Sequence, residues 1–259
     1  MPTQLFLEER RRWILEELKR HGRVSVNELS EKSQVSAVTI RQDLKALESN
    51  GLLERTHGGA VEILSRPLDE PELAFDIRRN RQKEEKDALG RAAARLVESG
   101  SAIALDASTT ICSIMPNLAH LDSLTVVTNN LMVPELVLSQ TRVELYLPAG
   151  RLRRDSYSVI GNPASLPEIN LNIGFVSAWG ISPEAGLTEV NEDEMRMKQA
   201  LLSRCMMKVA ILDSSKWGRV APHTYAYQTD MDLIITTDRV PNEVFELYNG
   251  IPIQVIDTR

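Results

Sequence analysis

Residues 36–60 read SAVTIRQDLKALESNGLLERTHGGA, and the order of caps, apolar residues and glycines in this stretch predicts a helix followed by a hairpin. Ser36 is an N-cap candidate, and Val38, Ile40, Leu44 and Leu47 run helically to the stop signal Asn50-Gly51. Leu52–Thr56 and Ala60–Leu64 then have strand character around the turn His57-Gly58-Gly59. Toward the N-terminus, Ser25-Val26-Asn27-Glu28 is a capping box that opens a short helix through Lys32. Before it, Leu5 to Arg20 carries the stripe Leu5, Trp13, Ile14, Leu15 and Leu18, with Gly22 where a C-cap glycine belongs.

A short helix, a turn and a second, polar-faced helix make the helix-turn-helix plan, in which the start of the second helix reaches base edges in the major groove. Here those residues are Ser36, Ala37, Thr39, Arg41 and Gln42. Ala37 and Thr39 are short enough for close approach, and Arg41 and Gln42 offer donors; glutamine pairs bidentately with adenine. Val35, Val38, Ile40 and Leu44 are expected to face the small core. Lys45, Arg55 and the run Arg10–Arg12 are expected to meet phosphates, with Arg55 and His57 reaching the backbone or minor groove from the hairpin. A protein-interaction module of the same shape is the alternative reading of this unit.

Charge agrees with an asymmetric molecule. The formal net charge of −6 excludes binding of nucleic acid over the whole surface. Residues 1–60 hold 10 Lys/Arg and 9 Asp/Glu, whereas the remaining 199 hold 20 and 27, so one end tolerates a polyanion and the rest repels it. Two cysteines, Cys112 and Cys205, make no disulfide framework. No stretch approaches the ~20 apolar residues of a membrane helix, and Leu5–Leu7 is followed at once by the charged run Glu8–Arg12, unlike a signal peptide. A cytoplasmic chain without membrane contact is expected.

Residues 1–64 are thus assigned to a winged helix-turn-helix domain, 65–80 (with Pro67 and Pro71) to a linker, and 81–259 to a larger domain. In the latter, Ala102–Leu105, Leu124–Val127, Val143–Leu147, Gly174–Ala178, Lys208–Leu212, Leu233–Thr236 and Ile253–Ile256 are apolar runs that alternate with helical segments. This predicts an open α/β fold with a largely parallel sheet. Asp106-Ala107-Ser108-Thr109-Thr110 follows one strand and precedes the helical segment Ile111–Leu118, a place where hydroxyls and backbone N–H groups suit an anion. Thr128-Asn129-Asn130 and Ala149-Gly150 end the next two strands, and ligands of open α/β sheets lie at such carboxyl ends. Farther on, Glu194 and Lys198 stand at helical spacing, which by itself reads as an exposed pair. Lys216, in Ser214–Arg219, is a candidate phosphate partner.

Val24-Ser25, Val35-Ser36, Thr39-Ile40-Arg41, Asp43-Leu44 and His57-Gly58-Gly59-Ala60 resemble the DNA-binding domain of the DeoR family of repressors, with Gln42 where a second Arg is usual. From about Phe75 to Asp257 the order of pieces resembles that family's sensor domain, similar in fold to ribose-5-phosphate isomerase. The resemblance implies a double-stranded DNA operator, a small phosphorylated sugar as effector, no cofactor and no metal. It also implies a pocket of Asp106, Ser108, Thr109, Thr110, Asn129, Asn130, Gly150, Arg153, Gly180, Glu194, Lys198 and Lys216. The chain departs from the family pattern at Ser108, Ala149, Ser177 and Trp179, where smaller residues are usual. Trp179 either fills part of the sugar site or is a core residue pointing away.

The competing class is a sugar-phosphate isomerase-like enzyme with a DNA-binding appendage. Isomerisation by proton transfer needs a positioned carboxylate and polarising acids. Gly180–Gly186 supplies one carboxylate, Glu184, beside Pro183, and His120 and His223 have no metal-ligand spacing. A regulator that acts as a homo-oligomer, dimer or tetramer, placing two copies of Ser36–Gln42 in successive major grooves, is the expectation.

Overall fold

The computed structural model describes residues 7–49, 53–56, 58–61, 75–137, 142–248 and 250–258. The chain divides into two compact units, Met1–Arg81 and Gln82–Arg259.

In the first unit, α1 (Leu7–His21) ends at Gly22, whose φ of 71° is the left-handed conformation that terminates a helix without strain. A three-residue strand, β1 (Arg23–Ser25), follows, and Ser25 then caps α2 (Val26–Ser33), its side chain accepting from Glu28 N at 3.1 Å. Ser36 caps α3 (Ala37–Ser49) in the same way, accepting from Thr39 N at 3.1 Å. The wing is β2 (Glu54–Thr56) and β3 (Gly59–Val61), and β3 lies between β1 and β2 in an antiparallel sheet. Gly59 is required there, because a Cβ would collide with the Val24 carbonyl of β1. Ile14, Leu18, Val24, Leu29, Ile40, Leu44, Leu47 and Leu53 close a small core.

That core is stapled by charge. Asp43, buried on α3, accepts from Arg10 Nε at 2.5 Å and from Arg11 Nε at 3.1 Å, which ties α1 to α3. Arg10, expected at a phosphate, is instead buried inside the unit, and Arg11 is half-buried beside it. Val38 departs from expectation the other way: it was assigned to the core and is 62% exposed. It lies two residues from buried Ile40 and six from buried Leu44, on the opposite side of the helix.

Of the expected linker, residues 65–74 lie outside the described residues, and its end forms a short helix, α4 (Phe75–Asn80). The second unit begins with α5 (Lys83–Ala94), β4 (Ala102–Leu105), α6 (Thr109–Cys112), β5 (Leu124–Thr128), α7 (Met132–Val137) and β6 (Val143–Tyr146). A hairpin of β7 (Arg151–Arg153) and β8 (Ser158–Ile160) precedes β9 (Leu171–Val176), β10 (Gly180–Ser182), β11 (Gly186–Glu189) and α8 (Glu192–Leu202). The chain ends with β12 (Cys205–Ile211), β13 (His223–Ala226), β14 (Leu233–Thr237), α9 (Asn242–Phe245) and β15 (Ile253–Ile256).

The seven expected strands form one sheet, order β15-β14-β12-β9-β4-β5-β6, parallel at every junction. Along β4 the pleat sends Ile103 and Leu105 to one core, with Phe175 and Ile211, and Ala104 to another, with Met197 and Leu201 of α8. Burial on both faces is what the near-continuous apolar runs require. The small antiparallel sheet β10-β11-β13 is an addition the sequence reading did not contain.

Replacing Asp43 by Ala leaves two guanidinium groups without their buried partner. Breaking such a pair costs about 3–5 kcal/mol, so Asp43→Ala should lower the denaturant midpoint of the N-terminal unit, read by intrinsic fluorescence of Trp13, while the second unit's transition stays in place.

Candidate functional site

All strands of the parallel sheet point their carboxyl ends to one edge, and the loops there meet around Asp106. This carboxylate is fully buried. Oδ1 accepts Ser108 N from its own loop at 2.8 Å, and Oδ2 accepts Ser177 N from the end of β9 at 2.8 Å and the ammonium of Lys198. Lys198 Nζ also donates to Ser177 O at 2.8 Å and lies 3.4 Å from Glu189 Oε2. Burial opposes the charge on Lys198, but Asp106 and Glu189 outweigh it and raise the ammonium above the ordinary lysine value. Tyr225 covers the pair, its OH donating to Ser177 O at 3.1 Å; burial holds that phenol protonated.

Asn130 joins the next loop to this one. Its Nδ2 donates to Asp106 O at 3.3 Å and Ser108 O at 3.4 Å, and its Oδ1 accepts Met132 N at 2.9 Å. Asn129 O accepts Val159 N at 2.8 Å, which fastens the β7–β8 hairpin to the same edge. Through the hairpin come Ser158 Oγ, 2.8 Å from Glu194 Oε1, and Arg153 Nη1, 3.3 Å from the same oxygen. Asp106, Ser108, Asn129, Asn130, Arg153, Glu194 and Lys198 are therefore brought together. Glu194 and Lys198 are both buried, each bound to a different partner, so the exposed-pair reading of their spacing fails.

Other expected members stand apart or serve differently. Thr109 and Thr110 are buried in the first turn of α6, but α6 spans four residues rather than the expected Ile111–Leu118, so it brings little helix dipole to an anion. Gly150 and Gly180 lack side chains for the protein's own sake: a Cβ would strike the Ile160 carbonyl at the first and the Arg219 carbonyl at the second. Lys216 lies beside Asp213 beyond β12, in a loop anchored by Trp217, whose Nε1 donates to Thr236 Oγ1 at 3.0 Å. Trp179 is half-buried under the Arg219 guanidinium, 3.8 Å from its ring centre, so it is not a fully buried core residue.

The sequence reading missed Ser158, Glu189, Tyr225 and Asp213, none of which has a local motif, and also Glu85. That side chain, fully buried at the start of α5, accepts Ser214 N at 2.9 Å, Ser214 Oγ at 2.8 Å and Thr237 Oγ1 at 2.5 Å. Two buried polar atoms at the edge, Asn129 Oδ1 and Ser177 Oγ, have no hydrogen-bond partner among the described residues. The Cys205 thiol is pushed up to about 12 by burial, which makes it inert.

In the first unit, α3 presents Val38, Arg41, Gln42 and Lys45 as one exposed stripe. Ser36 is exposed but its hydroxyl is engaged by Thr39, and Ala37 and Thr39 are half-buried. Arg55 reaches Glu48 at 3.5 Å. His57 lies outside the described residues.

Family comparison agrees with both halves. The profile of the DeoR-like helix-turn-helix domain matches residues 10–66 and that of the DeoR C terminal sensor domain matches residues 81–238. The chain belongs to the DeoR family. It is accordingly a DNA-binding transcriptional regulator rather than an enzyme. Its DeoR-family relatives include the uncharacterized HTH-type regulator YgbI of Escherichia coli K12, 34% identical over 90% of this chain and 91% of that one. GolR of Listeria innocua is 31% identical over 98% and 100%, and the glycerol-3-phosphate regulon repressor of E. coli K12 30% identical over 95% and 97%. Among solved structures, ribose 5-phosphate isomerase A of Methanocaldococcus jannaschii aligns with 51% of this chain and 53% of its own, with 16% identity and a TM-score of 0.38. No helix among the described residues is long and apolar enough to cross a membrane, and no group of three His, Cys, Asp or Glu among them could hold a metal ion.

Asp213 supplies a pH test of the site's far end. Burial works against its charge, but Lys216, Lys86 and the bonds from Ser215 prevail and hold it below the ordinary 3.8. The stabilisation it gives is therefore complete above that pH and is lost as pH falls through the folded-state value. Asp213→Asn should be less stable than the parent at pH 7, with the gap closing below about pH 4 in urea midpoints.

Proposed function

We propose that this DeoR-family regulator is a repressor of a carbohydrate-metabolism operon and that a phosphorylated sugar controls its grip on the operator. The observation that carries the reading is the convergence of polar, buried loops at the carboxyl edge of the sensor sheet, around the Asp106–Lys198 pair, with Asn129 Oδ1 and Ser177 Oγ left for a ligand's hydroxyl groups. The names of relatives support it: one represses a glycerol-3-phosphate regulon, and GlcR of Bacillus subtilis, 31% identical, is a transcriptional repressor. The effector contacts are assigned to Asp106, Ser108, Thr109, Thr110, Asn129, Asn130, Arg153, Glu194 and Lys198, with Gly150, Gly180 and Lys216 at the margin. The 1–64 unit reads DNA through α3, as a dimer or tetramer that engages two successive major grooves.

The route from effector to operator runs through α5, the first helix after the boundary at Arg81. Glu85 binds the loop that carries Lys216, and the Lys86 carbonyl accepts Ser113 Oγ at 2.6 Å from the end of α6, which follows Asp106–Ser108. A ligand that moves either loop moves the helix nearest the linker.

Thermal unfolding of the pure chain against a panel of sugar phosphates and the matching free sugars tests the effector class. A ligand at 100 times its dissociation constant adds about 2.7 kcal/mol to the native state. A shift with one phosphorylated sugar and none with its free form is expected; no shift across the panel overturns the effector assignment while leaving operator binding to a gel shift with the region upstream of the gene. In the coupling test, Glu85→Gln should keep the thermal shift but reduce the effector's influence on operator affinity, from the ~5–150-fold range usual for such coupling toward unity.

A further inference from the structure

Val38 is the exposed aliphatic residue of a 13-residue helix whose Ile40, Leu44 and Leu47 are buried. Valine is a mediocre helix former, so neither packing nor propensity accounts for it there. Its neighbours on the helix surface are Arg41 and Gln42, three and four residues on, and Lys45 follows at seven; all three are exposed. From Val38 to Lys45 this stripe carries two cations and no carboxylate, which suits a polyanion and not an acidic-free apolar protein groove.

In a major groove the one apolar feature on base edges is the thymine C5 methyl, and the partner of a glutamine carboxamide is the N6/N7 edge of adenine. Both belong to A·T pairs. We propose that Val38 and Gln42 make α3 a reader of A·T pairs, the valine methyls packing on a thymine methyl while the Gln42 side chain takes the adenine edge of the same or the adjoining pair. The proposal rests on operator binding by the N-terminal unit and adds which base chemistry that unit selects.

The test uses the full-length chain and a random-sequence duplex pool. Duplexes recovered by repeated selection are resynthesised with each thymine in turn replaced by deoxyuridine, which deletes only the methyl. In each half-site, one or two replacements should weaken binding by roughly 3- to 5-fold, the value of one buried methyl group. Val38→Ala, an exposed change to a better helix former, should bind all these duplexes with that sensitivity gone. Val38→Thr, which keeps the shape and loses a methyl, should retain part of it. Gln42→Ala should lose roughly 10-fold or more of the preference for adenine at the neighbouring position. A flat uracil scan on an enriched duplex, or a scan in Val38→Ala that matches the parent's, overturns the inference and leaves the regulator reading intact. Failure of the pool to enrich overturns operator binding and the inference with it.

Discussion

Asp106 is the constraint on which the sensor unit is organised. A fully buried carboxylate is costly to desolvate, and its charge is tolerable only where donors surround it. Here the donors come from three places that the chain order keeps far apart: its own loop after β4, the end of β9, and Lys198 on α8. Because each donor must be in position for the charge to be buried, the pair holds the carboxyl ends of two adjacent strands and one covering helix at fixed separations. Such a pair contributes less to net stability than to geometry. Everything else at the edge is referred to it: Asn130 spans from its carbonyl to Ser108, Tyr225 closes over Lys198, and the hairpin carrying Arg153 and Ser158 attaches through Asn129.

The same device works at smaller scale in the first unit, where Asp43 collects Arg10 and Arg11. There the arrangement has a side effect. It draws Arg10 into the core and holds Arg11 half-buried beside it, so both guanidinium groups are engaged within the unit. A core of this size leaves α3 only one face to bury, and Ile40, Leu44 and Leu47 take it. The opposite face is then free to be chosen for what it touches.

Sequence patterning read the fold well wherever burial alone set the residue types. The inner strands of the parallel sheet are largely buried on both faces, so their runs were visible without knowledge of neighbours; β4 and the edge strand β15 match in both boundaries. The three-residue strands β1, β7, β8 and β10 were invisible because so few residues establish no period. Val38 misled because valine at a helical position reads as core unless its angular offset from Ile40 is weighed. Arg10 and Glu85 misled differently: each lies in a charged run that looks solvated, and only a partner distant in sequence shows that it is buried. The loops holding Asp106, Ser108, Asn129 and Asn130 were legible as polar strand ends, whereas Arg153 and the site roles of Glu194 and Lys198 came by family resemblance, because local spacing alone leaves Glu194 and Lys198 as a surface pair.

Glu85 also bears on how a signal could leave the sensor. It stands four residues beyond the unit boundary at Arg81, while its partners are Ser214, in the loop after β12, and Thr237, at the end of β14. One turn further, Gly90 packs so closely on the Ser113 backbone that even a methyl group would not fit. Ala88, Leu89, Ala92 and Ala93 bury the helix below that point. Packed interiors have little free volume to absorb displacement, and the close approach of Gly90 to Ser113 holds α5 firmly against the end of α6. If the effector binds at these loops as proposed, a shift in either one meets α5 directly, through Glu85 or through the Lys86 carbonyl.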